Sequence, residues 1–173
     1  VAALASPASA LADSACAISP AFQKVDGDQL NYMPAIGGTF EKSEGYSISG
    51  GAFRVPAMNE TAFINGLGAY SLSLPAGGSV TLPFACPETV VPTARFFTLG
   101  ASGSSVRVEY QLDGGSAKWS PVVATVAAGT KWTATGLLSW TQPTNVKVTG
   151  IRITGVTGIT LIDDVMVDPL KRK

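Results

Sequence analysis

Ser105-Val106-Arg107-Val108-Glu109-Tyr110-Gln111-Leu112 alternates without interruption. Val106, Val108, Tyr110 and Leu112 point one way while Arg107, Glu109 and Gln111 point the other, the period-two pattern of a strand with one face on a core and one toward water. The same signal recurs on either side. In residues 69–74, Tyr70, Leu72 and Leu74 oppose Ser71 and Ser73, and in 79–84 Val80, Leu82 and Phe84 share a face. Pro75-Ala76-Gly77-Gly78 lies between these two runs, and its turn chemistry predicts a hairpin. Residues 46–49 and 52–55 around Gly50-Gly51 predict a second one. Residues 93–99 are more continuously apolar, which suits a central strand covered on both faces. In 145–153, Val146 and Val148 share a face, Ile151 and Ile153 share another, and Gly150 sits at the change of phase, as in a β-bulge. Residues 159–167 form a last strand with Pro169 as its stop. Short strands with turn signals between them predict an all-β protein: an antiparallel two-sheet β-sandwich, jelly-roll in preference to immunoglobulin-like.

Composition excludes several functions. The 173 residues form one domain by length, with residues 1–15 as an arm and 16–173 as the sandwich. Charged residues are only 14%, and twelve basic side chains cancel twelve acidic ones. Without a basic cluster, nucleic acid is not an expected partner. The chain has no histidine, which removes Ser-His-Asp and Cys-His catalysis and histidine-bound zinc. No apolar run approaches the ~18 residues that span a bilayer. The opening Val1-Ala2-Ala3-Leu4-Ala5-Ser6-Pro7-Ala8-Ser9-Ala10-Leu11-Ala12 is small and apolar with A-x-A patterns, like the tail of a secretory signal. A secreted, extracellular or cell-surface location is therefore expected. In that setting the two cysteines, Cys16 and Cys86, read as a disulfide. The loop it closes is worth about 4 kcal/mol in chain entropy.

The ending Leu161-Ile162-Asp163-Asp164-Val165-Met166-Val167-Asp168-Pro169 resembles the "IDDVxVDP" close of secreted bacterial β-sandwich proteins of actinobacterial type. These in turn are similar to carbohydrate-binding modules of the galactose-binding-like jelly-roll class. Gly37-Gly38-Thr39-Phe40-Glu41 resembles their "GG-x-FE" segment, and Tyr46-Ser47-Ile48-Ser49-Gly50-Gly51-Ala52 their "W-x-L-S-G-G-A", with Tyr46 in place of tryptophan. Cys16 and Cys86 fall where that group carries its cysteines. The resemblance implies a structural Ca²⁺ held by Glu41 and Asp164, or by Asp163 in place of Asp164, because the ion wants several hard oxygens. The alternative is that Glu41 and Asp164 are rim carboxylates, one paired with Lys42 or Arg54.

Other motifs carry less. Asp26 and Asp28 mimic the start of an EF-hand loop but lack its remaining ligands, so a solvated turn is expected. No serine sits in G-x-S-x-G, and Asn59-Glu60-Thr61 is a bare glycosylation sequon. An enzyme is not expected. The aromatics Trp119, Trp132, Trp140, Tyr32 and Tyr46 are candidates for a flat sugar platform, with Trp140, Trp132 and Tyr32 put first and most tryptophans assigned to the core. Outward strand positions are poor in Lys and Glu, the usual guard of sheet edges. The uncharged arm, Val1, Ala2, Ala3, Leu4 and Ala5 foremost, then suggests strand donation to further copies of the chain. The sequence thus favours a secreted, non-catalytic structural subunit assembling as a filament, with a polysaccharide-binding module as the alternative.

Overall fold

The computed structural model describes residues 18–86 and 91–170. Along the chain lie β1 (Met33–Pro34), β2 (Ser47–Ser49), β3 (Phe53–Pro56), β4 (Tyr70–Pro75), β5 (Ser79–Pro83) and β6 (Val91–Gly100). There follow β7 (Ser105–Asp113), β8 (Ala124–Ala127), β9 (Thr133–Ala134), β10 (Leu138–Ser139), β11 (Lys147–Thr157) and β12 (Ile159–Leu170). One turn of helix, α1 (Gln23–Asp26), precedes them and ends at Gly27, whose φ of 82° only glycine adopts freely. The strands make two antiparallel sheets. A seven-stranded sheet runs β10-β6-β12-β4-β3, with β1 on β12 and β9 on β6, and a five-stranded sheet runs β2-β5-β11-β7-β8.

Each strand contributes one row of side chains to the interior. Leu72, Leu74, Ala94, Phe96, Ile162, Val165 and Val167 of the larger sheet meet Val80, Leu82, Val106, Val108, Tyr110, Ile151 and Ile153 of the smaller one, all buried. The Tyr110 hydroxyl, whose ionisation burial disfavours, donates to the Leu138 carbonyl and so joins the sheets by a polar contact as well. The bulge expected at Gly150 is present as a register shift between Val148 and Gly150. Residues 93–98 are buried on both faces, as a central strand covered on both sides should be, with Thr93, Arg95 and Thr98 buried among the apolar side chains.

Three local expectations are corrected. β4 and β5 are not a hairpin: β4 pairs with β3 and β12, β5 with β2 and β11. Likewise β2 and β3 lie in opposite sheets. Both turns are arches that carry the chain over the core, so the apolar rows they join face each other instead of lying side by side. The arches interlock, since a Cβ on Gly50 (φ 62°) would stand 2.3 Å from the Gly77 carbonyl. Pro169 does not stop the last strand, because β12 continues through it to Leu170.

The outer face of the seven-stranded sheet is covered by the segment 18–34. Phe22 and Tyr32 pack edge-on at 5.1 Å, and Phe22 stacks on Phe97 of β6 at 5.7 Å, with Met166 of β12 alongside. Asp26 and Asp28, expected to form a solvated turn, are instead bound to Arg95. This β6 side chain is almost fully buried, lies 4.1 Å from the Phe22 ring, and donates to Asp26, to Asp28 at 2.8 Å and to the Thr135 carbonyl at 2.8 Å. The turn is acidic because it caps a buried guanidinium.

The hydrogen bond from Arg95 is the chief reason the Asp26 carboxyl titrates below its ordinary 3.8. Burial, the largest influence on Asp28, raises its pKa, yet bonds from Tyr32, Leu30 and Arg95 bring it below 3.8 as well. Depressed carboxyl pKa values add stability above the unfolded value that is lost as pH falls through the folded one. Arg95→Met should therefore cost about 1–3 kcal/mol at neutral pH, where it leaves the largely covered Asp28 carboxylate without its cation, while Asp26, half-exposed, is screened by water. The gap between wild type and variant should shrink below pH ~4. Urea unfolding midpoints at pH 7 and pH 3 check this.

Candidate functional site

The register that buries Val108, Tyr110, Ile151 and Ile153 sets the opposite row of the five-stranded sheet. Ser47, Thr81, Arg152 and Glu109 stand side by side across β2, β5, β11 and β7, and Pro83, Gly150 and Gln111 form the next row. Arg152 forks onto Glu109, Nε to Oε2 at 3.1 Å and Nη2 to Oε1 at 2.9 Å, and Arg107 Nε lies 3.6 Å from the same carboxylate. After β7 the chain reverses through residues 113–117. Leu112 N–H then donates to Lys118 O and Ser120 N–H to Tyr110 O, both within 2.9 Å. Trp119 thereby falls opposite Gln111 and must point to the same outer face. The indole lies over the Arg152 guanidinium, which stands 3.9 Å from the ring centroid.

On the β2 side stands Tyr46, edge-on to Phe40 at 5.4 Å and kept in its neutral phenol form chiefly by burial. Between Tyr46 and Trp119 runs an open groove of about 510 Å³, floored by Thr81, Pro83 and Gln111 and bordered by Lys118. The arrangement offers two aromatic walls, amide and hydroxyl hydrogen-bonding groups, and one exposed ammonium. Those groups can hold a planar, hydroxylated ligand from the side and from below.

A second site lies on the other sheet. β12 breaks register between Asp163 and Met166, with Asp164 at φ 46°. Asp163 accepts the Glu60 N–H at 2.9 Å, and Glu60 in turn accepts the Ala62 and Ile64 amides, closing the loop that contains Asn59 and Asn65. Asn65 donates to Asp164 Oδ1 at 2.8 Å, while Glu41 Oε1 accepts the Ala69 and Tyr70 amides at 2.9 and 3.0 Å. Glu41, Asp164, Asn59 and Asn65 line a cavity of about 70 Å³. Gly68 makes room for it, since a Cβ there would stand 2.0 Å from Asn59 Oδ1 and 2.7 Å from Glu41 Oε1. Burial pushes the Asp163 carboxyl up to about 8, with the charge of Asp164 adding to the effect. Asp164 is raised by burial and by Glu60 and Glu41, against the Asn65 bond.

Of the two carboxylates lining this cavity Asp164 is buried and Glu41 exposed, with the Asn59 and Asn65 amides beside them. Carboxylate and amide oxygens are the ligand types that Ca²⁺ takes, although no group of three His, Cys, Asp or Glu side chains in ligating position occurs among the described residues. Neither Lys42 nor Arg54 pairs with these carboxylates. Lys42 faces Glu44, and Arg54 donates to the Phe40 and Glu41 carbonyls.

The structure reorders the platform candidates. Tyr32 is corrected: it is fully buried under α1 with its hydroxyl on Asp28 at 2.6 Å, and presents no face to a ligand. Trp132 is half-buried against Phe22 and Met166, and Trp140 against the main core, so neither reaches the groove. Trp119 and Tyr46 do. Asn59, Asn65 and Glu60 were missed as site residues, and the only signal was a polar loop closed by Gly66 and Gly68. Cys86 is buried, and no free cysteine is found among the described residues. Cys16 and the arm Val1–Ala5 lie outside them.

No family model matches the sequence, and no curated protein matches it. Solved structures do. The chain is similar to the CBM22-1–GH10 modules of endo-1,4-β-D-xylanase 10B from Clostridium thermocellum, complexed with xylohexaose. The TM-score is 0.55 at 17% identity over 81% of this chain and 28% of that one. It is also similar to the CBM22-1–CBM22-2 tandem domain of Paenibacillus barcinonensis Xyn10C, with TM-score 0.54 at 14% identity over 78% of this chain and 44% of that one. The C-terminal family 22 carbohydrate-binding module of C. thermocellum Xyn10B gives 0.51 at 15% identity, over 81% of this chain and all of that one. The chain thus spans under half of the first two. The likeness is one of fold: an all-β sandwich of the carbohydrate-binding-module jelly-roll kind.

Proposed function

We propose that the protein is a non-catalytic β-sandwich module that binds polysaccharide in the groove of its five-stranded sheet. The observation that carries this reading is the half-buried Trp119, set by register beside an open groove with Tyr46 opposite and Thr81 and Gln111 on the floor. An indole face takes the apolar face of a pyranose, and hydroxyls around its ring meet the amide and hydroxyl groups. The fold likeness supports the reading, since one similar structure was solved with xylohexaose. No carboxylate among the described residues lines the groove, and Glu109 in the adjoining row is bound by two guanidinium groups, whereas a glycosidase needs two carboxyls facing one cleft. The filament subunit that the sequence favoured rests on residues 1–12, outside the described part. The sheets also end in strands of two to four residues, β10, β3, β2 and β8, which give a donated strand little length to pair with. Secretion and a Cys16–Cys86 disulfide belong to the same proposal.

Trp119→Ala should weaken binding on a polysaccharide affinity gel by about 2 kcal/mol, roughly thirtyfold. Trp132→Ala and Trp140→Ala should lower stability and leave binding by the folded fraction intact. Unchanged binding by Trp119→Ala removes the groove from the reading.

A structural Ca²⁺ on Glu41, Asp164, Asn59 and Asn65 is part of the proposal. Calcium at a hundredfold over Kd should raise the thermal midpoint by roughly 5 °C relative to excess chelator. Gly68→Ala, which intrudes on Asn59 and Glu41, should abolish that rise, as should Asp164→Asn. An identical midpoint with and without chelator rejects the ion.

A further inference from the structure

The chain has no net charge, yet the outer face of its five-stranded sheet does. Arg107, Lys118, Lys147 and Arg152 stand there against Glu109 and Asp113, a surplus of two positive charges. Most of these are accounted for. Glu109 is held by the Arg152 fork with Arg107 beside it, and Lys147 stands opposite Asp113 in the β11–β7 register. At the Tyr46 end, exposed Lys42 and Glu44 face each other at 4.0 Å and cancel. Lys118, like Lys147, has no carboxylate within 4.0 Å among the described residues, but only Lys118 of the two borders the groove, its Nζ 5.8 Å from the centroid of the Trp119 ring.

Resting on the groove as the binding site, we propose that its ligand is an anionic glycan, whose pyranose rings carry carboxylate or sulfate groups. The sugar face lies on Trp119 and the acidic group on Lys118. The floor offers no repulsion, because Thr81, Pro83 and Gln111 are uncharged and Glu109 in the adjoining row is bound by two guanidinium groups. A neutral sugar seated against the indole offers the exposed ammonium only hydroxyl acceptors. An acidic substituent offers it a charge-assisted hydrogen bond, and the surplus charge of the face steers such a chain toward the groove. Gln111 and Thr81 serve the hydroxyls that both kinds of sugar share.

The test is calorimetric titration with polygalacturonate, a sulfated galactan and neutral β-1,4-galactan at low ionic strength. At least one acidic chain should bind roughly tenfold more tightly than the neutral one, and added NaCl should erode the advantage. Which acidic chain wins distinguishes carboxylate from sulfate. Lys118→Gln should abolish the preference without moving the thermal midpoint, and Lys118→Arg should keep it. Neutral galactan bound as tightly as both acidic chains, or a preference that survives Lys118→Gln, overturns the proposal. In either case the groove reading stands if binding still depends on Trp119. If no glycan binds the wild type, the groove reading falls and this one with it.

Discussion

Everything on the five-stranded sheet follows from how β7 and β11 pair. Val108 opposite Ile153 and Tyr110 opposite Ile151 put four buried side chains on the core. Because a strand has two faces, the same pairing places Glu109 opposite Arg152 on the outside. A slip of one residue would drive an ion pair into the interior and turn Tyr110 to water, so the core protects the groove's floor against error. At the bulge, a Cβ on Gly150 would stand 2.7 Å from the Leu82 carbonyl and 3.0 Å from Gln111 Oε1, so only glycine lets β5, β11 and β7 close up there.

The two outer faces have been put to different uses. Over the larger sheet, Phe22 and Tyr32 sit on Phe97 and Met166, and Arg95 is neutralised from above by Asp26 and Asp28. That surface is closed by its own chain. The smaller sheet keeps Thr81, Gln111 and Lys118 in contact with solvent around a half-buried indole. The contrast is one of covering, since both faces carry charged and aromatic groups.

Much of the sandwich was legible in sequence, because burial on one face writes itself as alternation. Residues 105–112, the continuously apolar 93–99 and the phase change at Gly150 all read correctly. Connectivity did not. Pro75-Ala76-Gly77-Gly78 and Gly50-Gly51 supply the same turn residues whether a chain doubles back within a sheet or arches across a core, and Leu72/Leu74 with Val80/Leu82 alternate identically in both. Glu41 and Asp164 were brought together by resemblance, more than a hundred residues apart in sequence. The groove was only half visible. Trp119 and Tyr46 stood among the aromatic candidates, but nothing local told them from Tyr32, whose burial depends on the distant Phe97 and Met166. Asp26 and Asp28 looked idle because Arg95, their partner, is remote along the chain.

The position of β12 has a consequence for how the molecule is made. The last described strand is not at an edge: it lies between β6 and β4 and also carries β1. Until residues 159–170 leave the ribosome, the larger layer has no middle, and β4 and β6 wait with unsatisfied ladders on the sides they will later offer to β12. Closure therefore depends on contacts distant in sequence, a topology that folds slowly and leaves nascent chains adhesive. A product that stopped before residue 159 would lose the keystone of one layer rather than a fringe.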